Sequence, residues 1–383
     1  MASSASGQRT AVRFVAEGDY GVPASTTYQA LRFTGTSLNL GKETFQSNEI
    51  RADRQVADLR HGMRSVAGDV SFELSRLTFD ELLAGALGGT WEAVTTGAVS
   101  LEADADDESF VRTTGSFLAE GFLPGDEVSA TGFATAGNNG RAKVVSVTPL
   151  SLTVDKALAA DAAAAARTVA LVGRRLKNGT LLKTYSIERA FTDIGQYLLY
   201  RGCAVNGLKL SIQPGEIVTG SVTWLGKDMV QATASHATTL TPPGTGSPFD
   251  AFTGALLEGG VVVANVTGVE LDISNGRTTK GVVGQASPTE VHEGGFGVSG
   301  TLSAYFQDGT LLNRFIDEEE SSLEVLLRDV NGVDFHRLYI PRLKYTGGDL
   351  DNPKEGPVVV SLPFTALLDS VSGATLVYQR SNA

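Results

Sequence analysis

Gly62-Met63-Arg64-Ser65-Val66-Ala67-Gly68-Asp69-Val70-Ser71-Phe72-Glu73-Leu74 decides how the rest of this chain is read. Val70, Phe72 and Leu74 alternate with Ser71, Glu73 and Ser75. That period of two is the mark of a strand with one face buried and one wet. The same alternation recurs at Leu208, Leu210 and Ile212, at Val222 and Trp224, and at Val358, Val360, Leu362 and Phe364. Turn signals separate these runs, at Asn178-Gly179, Asn206-Gly207, Asn331-Gly332 and Gly347-Gly348-Asp349. Glycine supplies 44 of 383 residues, where about 7% is usual. No G-X-Y period accompanies the excess, so many tight turns between short strands explain it. The pattern predicts a mainly β chain.

One helix is well signalled, from about Thr78 to Leu87. Thr78 and Glu81 have capping-box spacing, Phe79, Leu82, Leu83, Ala86 and Leu87 form an apolar stripe, and Gly88-Gly89 ends it. A shorter candidate runs from Leu311 to Ile316, preceded by Asp308. The two helices expose an internal repeat. Gly294-Gly295-Phe296-Gly297-Val298-Ser299-Gly300-Thr301-Leu302-Ser303-Ala304-Tyr305-Phe306 lies over the opening stretch at an offset of 232, which also places Phe79 on Leu311 and Leu83 on Phe315. Tyr185–Arg189 matches Glu324–Arg328 at an offset of 139, and Ser221–Trp224 matches Ser361–Phe364 at 140. The rival reading is chance alignment of β-patterned sequence. The common order of the matches in both halves favours duplication.

The change of offset puts an insertion in the first copy. Its short strands (Glu127–Ala130, Ala142–Val147) and turns (Pro124-Gly125-Asp126, Asn138-Asn139-Gly140) predict a small β-domain rather than a loop. Ala157–Ala166 lacks an apolar stripe and reads as a loop, a short helix being the alternative. Gln231–Pro248, rich in Ala, Thr, Gly and Pro, reads as an extended, partly stiff linker. The expected division is 1–92 with 176–230 as a first, discontinuous domain, 93–175 inserted, 231–249 linking, and 250–383 as the second domain.

Charge and composition exclude several functions. With 31 basic and 43 acidic residues the net charge is -12, so a nucleic-acid grip through phosphates is not expected. One cysteine, Cys203, cannot form an internal disulfide. Met1–Val15 has no apolar run of signal-peptide length, and no stretch reaches 18 apolar residues. The expectation is a soluble protein from a reducing compartment, without a membrane.

Chemistry-bearing motifs are weak. Gly295-Phe296-Gly297-Val298-Ser299-Gly300 fits G-x-G-x-x-G, but its glycines lead into a strand rather than a helix. The acidic runs Asp104–Glu108 and Asp317–Glu320 lack Ca²⁺-loop spacing. His61, His236, His292 and His336 form no zinc or metalloprotease pattern, and Cys203 has no histidine near it in sequence. No nucleophile elbow or P-loop occurs. No catalytic residue, metal or cofactor is expected.

The remaining charged feature is the run holding Glu49, Arg51, Asp53, Arg54, Asp58 and Arg60, just before the opening strand. It reads either as a solvated loop or as a subunit-contact arm, whose alternating signs would set register on a neighbour. At these residues the sequence resembles the tail tube (major tail) proteins of long-tailed, siphovirus-like bacteriophages. The resemblance rests on Ser47–Leu74, the Phe79–Leu83 helix, Trp91, the early Glu17–Pro23, and Gly115–Phe122 with Asn138-Asn139-Gly140 in the insertion. It covers most of Met1–Met229. The second half departs from it, with Gln285–Glu290 in place of the Asp-Arg run.

The resemblance implies tandem β-sandwich or barrel units, each with a flanking short helix. Six such units per ring, here from three chains with pseudo-sixfold symmetry, would stack into a tube for genome ejection. It implies contacts with further copies and with tape measure, tail terminator and distal tail proteins, and double-stranded DNA passing without specific binding. It implies a virion location, with assembly in the host cytoplasm. The repeated strands, with Val66, Val70, Phe72, Leu74, Val298, Leu302 and Phe306, are the candidates to line the channel. A secretion-system or baseplate tube, and an adhesive or carbohydrate-binding β-sandwich, are the rival readings.

Overall fold

The computed structural model describes residues 4–251, 255–263, 265–329 and 331–382. The chain is mainly β. Its first portion runs through β1 (Thr10–Asp19), β2 (Thr27–Leu31), β3 (Asn39–Gln46), β4 (Leu59–Glu73) and α1 (Asp80–Leu87). After an inserted barrel it resumes with β5 (Thr184–Phe191), β6 (Gln196–Ile212) and β7 (Thr219–Gly226). The later portion runs through β8 (Ala255–Glu258), β9 (Val266–Ser274), β10 (Gly297–Tyr305) and α2 (Thr310–Ile316). It then continues with β11 (Glu320–Arg328), β12 (Phe335–Tyr345), β13 (Asp349–Asp351), β14 (Val359–Ala366) and β15 (Val377–Arg380).

Antiparallel pairing orders the first portion β3-β4-β7-β6-β5-β1 and the later portion β9-β10-β14-β12-β11-β8. Residues 207–212 of β6 also pair with 269–274 of β9. One sheet therefore crosses from β3 to β14 without a break. Gly68 lies opposite Trp224, and Gly300 lies opposite Phe364. A Cβ on Gly300 would stand 2.2 Å from the Glu270 carbonyl oxygen and 2.6 Å from the Phe364 ring. Only a bare Cα admits the aromatic there.

The apolar face of this sheet forms the main core. Val66, Val70, Phe72, Leu74, Val222, Trp224, Leu271, Leu302 and Phe364 are all buried in it. α1 closes the core of the first portion, with Leu82–Leu87 all buried and Tyr185 Oη donating to the Glu81 carbonyl at 2.8 Å. Gly88, in the left-handed region at φ 63, ends the helix where the sequence marks a stop. The expected capping box does not form. The helix begins at Asp80, two residues later than its signal. The Thr78 hydroxyl is held by Ser75 and the Arg76 carbonyl, while Glu81 faces Lys183 at 3.1 Å. α2 buries none of its residues.

The insertion forms a closed six-stranded barrel between Val99 and Leu171, around its own core of Leu101, Phe110, Phe117, Phe122, Val128 and Val169. Ala157–Ala166 is not simply a loop, as expected, because Asp161–Leu171 is a barrel strand. The missing apolar stripe argues against a helix but not against a strand. Ladder bonds to 99–103 and 128–131 fix this one, and Arg167, Val169 and Leu171 anchor it inward. Buried polar contacts join the barrel to the later portion. Arg337 and the barrel's Lys143 lie 3.0 and 2.8 Å from the Glu324 carboxylate, and Gln379 Nε2 donates to the Glu127 and Val172 carbonyls. Burial pushes the Glu324 carboxyl up, but Arg337 and Lys143 overcome this and hold it below its ordinary range. β15 completes the joint, pairing with Arg174–Lys177 on one side and β12 on the other.

The segment read as a linker lies along the first portion. Thr239–Thr241 pairs in parallel with Thr27–Gln29, and the Ser235 hydroxyl and His236 N–H donate to Glu188.

Candidate assembly surfaces

Two surfaces stand out, the open face of the long sheet and the hairpin arm at its edge. A strand that buries every second residue must present the others to solvent. Val66, Val70, Phe72, Leu74, Val298 and Leu302, named as channel-strand residues, point into the core, and Phe306 is 38% exposed beyond the end of β10. Their neighbours form the wet face. Along β4 these are Ala67, Asp69, Ser71 and Glu73; along β7, Thr219, Ser221 and Thr223. On β6 they are Lys209 and Ser211, on β9 Glu270, Asp272 and Ser274, and on β10 Ser299, Thr301 and Ser303.

The face is concave. Its groove, of about 660 Å³, reaches from Thr34 and Ser71 across Lys209 and Asp272 to Thr346 and Thr365. Small hydroxyl side chains dominate the groove, whose charged lining is Glu270, Asp272 and Lys209; Asp69 and Glu73 on β4, and Lys344 opposite Thr365 on β12, extend the face. Two of these acids are held in place. Thr223 Oγ1 donates to Asp69 at 2.6 Å, and Lys209 Nζ lies 3.3 Å from Asp272. In the sequence these residues are the polar half of each alternation.

The arm is the end of the β3–β4 hairpin. Glu49, Arg51, Asp53, Arg54, Asp58 and Arg60 are all exposed, and the structure brings them together in one tip. Their charges pair locally, with Arg51 2.8 Å from Asp53 and Arg60 3.1 Å from Asp58. The hydrogen bond from Arg51 holds the Asp53 carboxyl below its usual range. Arg54 turns the chain in the left-handed region at φ 60, its N–H donating to the Arg51 carbonyl. Apolar side chains share the arm's exposure, with Ile50 at 100%, Val56 at 62% and Phe45 at 60%. Exposed apolar side chains grouped on a hairpin make it a candidate contact surface.

Cys203 is buried, which pushes its thiol well above the ordinary range. His336 is buried against Tyr378, and His61 is exposed on β4. The G-x-G-x-x-G glycines enter β10, a strand. Among the described residues no group of three or more His, Cys, Asp or Glu could hold a metal ion, and no helix is long and apolar enough to cross a membrane.

Comparison with curated proteins finds no match. The family model described as phage tail tube protein matches residues 7–366 and so includes both portions, the barrel and both surfaces. A structural family of this kind points to a non-enzymatic component of the virion tail, one that self-assembles and meets other tail proteins. With nearly the whole length matched, the chain belongs to the phage tail tube protein family.

Proposed function

We propose that this chain carries two tube units and that three copies close a ring with pseudo-sixfold symmetry. The rings stack into the tail tube of a long-tailed, siphovirus-like phage, and the genome leaves through it. The observation that carries this reading is the strand order. β3-β4-β7-β6-β5-β1 and β9-β10-β14-β12-β11-β8 are the same arrangement, each with its helix after the second strand. Two sequence alignments with different offsets also meet in it. An offset of 232 relates Gly68 to Gly300, an offset of 140 relates Trp224 to Phe364, and Gly68 lies opposite Trp224 as Gly300 lies opposite Phe364.

In this reading the concave polar face lines the channel, where hydroxyls and excess carboxylates let DNA phosphates pass without capture. The arm contacts the next copy or ring, and the barrel stands outside, clear of the bore. Tape measure, terminator and distal tail proteins are the further partners, and assembly takes place in the host cytoplasm. Electron microscopy of negatively stained protein, with native mass measurement, tests this. The expected result is rings with a central hole and the mass of three chains. Rings of six chains, or a chain that never forms rings, would count against it.

A further inference from the structure

We infer that the ring closes through one specific strand pair. Residues 347–352 of one copy pair antiparallel with residues 36–41 of the next, with Asp349 opposite Asn39 and Leu350 opposite Leu38. This rests on the ring reading above and adds the partner edges and their register.

The chain contains a template for the contact. Between its two portions β6 pairs with β9, placing Lys209 opposite Asp272, Leu210 opposite Leu271 and Ser211 opposite Glu270. Each side of that seam has a counterpart at a free end of the same sheet. Asp272 and Ile273 lie opposite Ser299 and Val298, just as Asn39 and Leu40 lie opposite Ala67 and Val66. Residues 36–41 therefore hold the place in the first portion that 269–274 hold in the second. Lys209, Leu210 and Ser211 lie opposite Ser221, Gly220 and Thr219, just as Asp349, Leu350 and Asp351 lie opposite Ser361, Val360 and Val359. Residues 347–352 therefore hold the place of 207–212. Transferring the template to these two ends gives the pairing stated.

Among the described residues neither end has a strand partner on the side in question: β13 pairs with β14 and β3 with β4, and the Leu38 N–H rests on the Thr36 hydroxyl. Open edges of a long sheet attract further strands. Their side chains also read as half of a contact. Leu210 is 2% exposed within the seam, whereas Leu350, in its place, is 41% exposed; Leu38, in the place of Leu271, is already buried at 2% in its own portion, so the contact would mainly cover Leu350. The helices tell the same story. Across the template seam Asn275 Nδ2 donates to the Ala86 carbonyl, and Arg277 Nη1 to the Gly85 and Val205 carbonyls, covering the end of α1. The place of Asn275 is taken by exposed Lys42, and that of Ala86 by Glu318 in the acidic run after α2. Lys42 of one copy then meets the acids of the next, and α2 gains the cover it lacks.

A double variant, Asn39→Cys with Asp349→Cys, tests the register in the full chain. The one native cysteine, Cys203, is buried. Both new positions are exposed on the same face, and directly opposed residues of an antiparallel pair lie within disulfide reach. After oxidation of assembled protein, a non-reducing gel is expected to show linked dimers and trimers and nothing larger. The register-shifted pair Thr36→Cys with Asp349→Cys is expected to stay uncrosslinked. A second variant, Leu350→Asp, is expected to keep the melting temperature of the free chain while losing rings. Rings that form without Asn39–Asp349 cross-links, or that survive Leu350→Asp, would overturn the seam and leave the ring reading standing. Wild-type chains that never form rings would overturn both.

Discussion

His336 sits in the core of the second portion, wholly buried between Phe249 and Tyr378, its Nδ1 2.6 Å from the tyrosine hydroxyl. Burial, with Arg380 and Arg76 nearby, pushes its pKa down to about 3. The unfolded chain binds a proton there below about pH 6.5, which the native state refuses. Stability from this residue is therefore lost as pH falls from about 6.5 towards about 3, by about 1.4 kcal/mol per unit. Thermal melts at pH 7 and pH 5 are expected to show a steeper loss for the wild type than for His336→Gln. Parallel pH slopes would refute the assignment. Gly300 makes a second residue-scale case. A methyl there collides with the Glu270 carbonyl and the Phe364 ring. Gly300→Ala is expected to cost about 1–3 kcal/mol as an overpacked site, read as a drop in the denaturation midpoint. Ser299→Ala, one residue away on the wet face, is expected to leave it unchanged.

Among elements, the arm combines exposure with little structural debt. Its ion pairs are local, and exposed pairs of this kind contribute little to stability. Replacing residues 48–57 with a two-glycine turn is therefore expected to leave the melting temperature within about 1 °C while sharply reducing tube length in electron micrographs. Full-length tubes from the shortened chain would show the arm to be a solvated loop.

Elements were also where the sequence was most and least informative. β4, β6, β7, β10 and β14 declare themselves by their period of two, and both helices by stripe or stop signals. The strand at Asp161–Leu171 did not, because five consecutive alanines carry no alternation and only barrel closure makes them a strand. Thr78 and Glu81 had the right spacing for a cap, yet tertiary partners, Ser75 and Lys183, claimed them first. The candidate site was half legible. Val66, Val70 and Phe72 lie on strands that do carry the polar face, but alternation names two faces, and burial goes to the apolar one. Pairing of β6 with β9 could not be read at all, since it joins segments some sixty residues apart with no local signal.

At the scale of the molecule, the sign of the concave face is the property that matters. A net charge of -12 spreads over the whole surface, but DNA in a channel would meet only the lining. On the concave face Asp69, Glu73, Glu270 and Asp272 accompany two lysines, Lys209 and Lys344, the first of them already engaged with Asp272. If this face is the bore, changing its sign must change transport, even where folding and ring closure are untouched. Asp69→Lys with Glu270→Lys is the suitable pair. Both side chains are exposed, and neither lies in the strand segments assigned to ring closure. Each ring of three would gain six cations at a fixed height, repeated along the tube. Phosphates meeting them would release counterions, so retention of DNA should fall steeply as salt rises. The logarithmic slope should approach about -0.9 for each phosphate neutralised. The expected outcome is tubes of normal appearance that hold double-stranded DNA at low salt and release it at high salt, measured by co-sedimentation, with the wild type holding none. Tubes of the double variant that ignore DNA at low salt would place this face outside the channel.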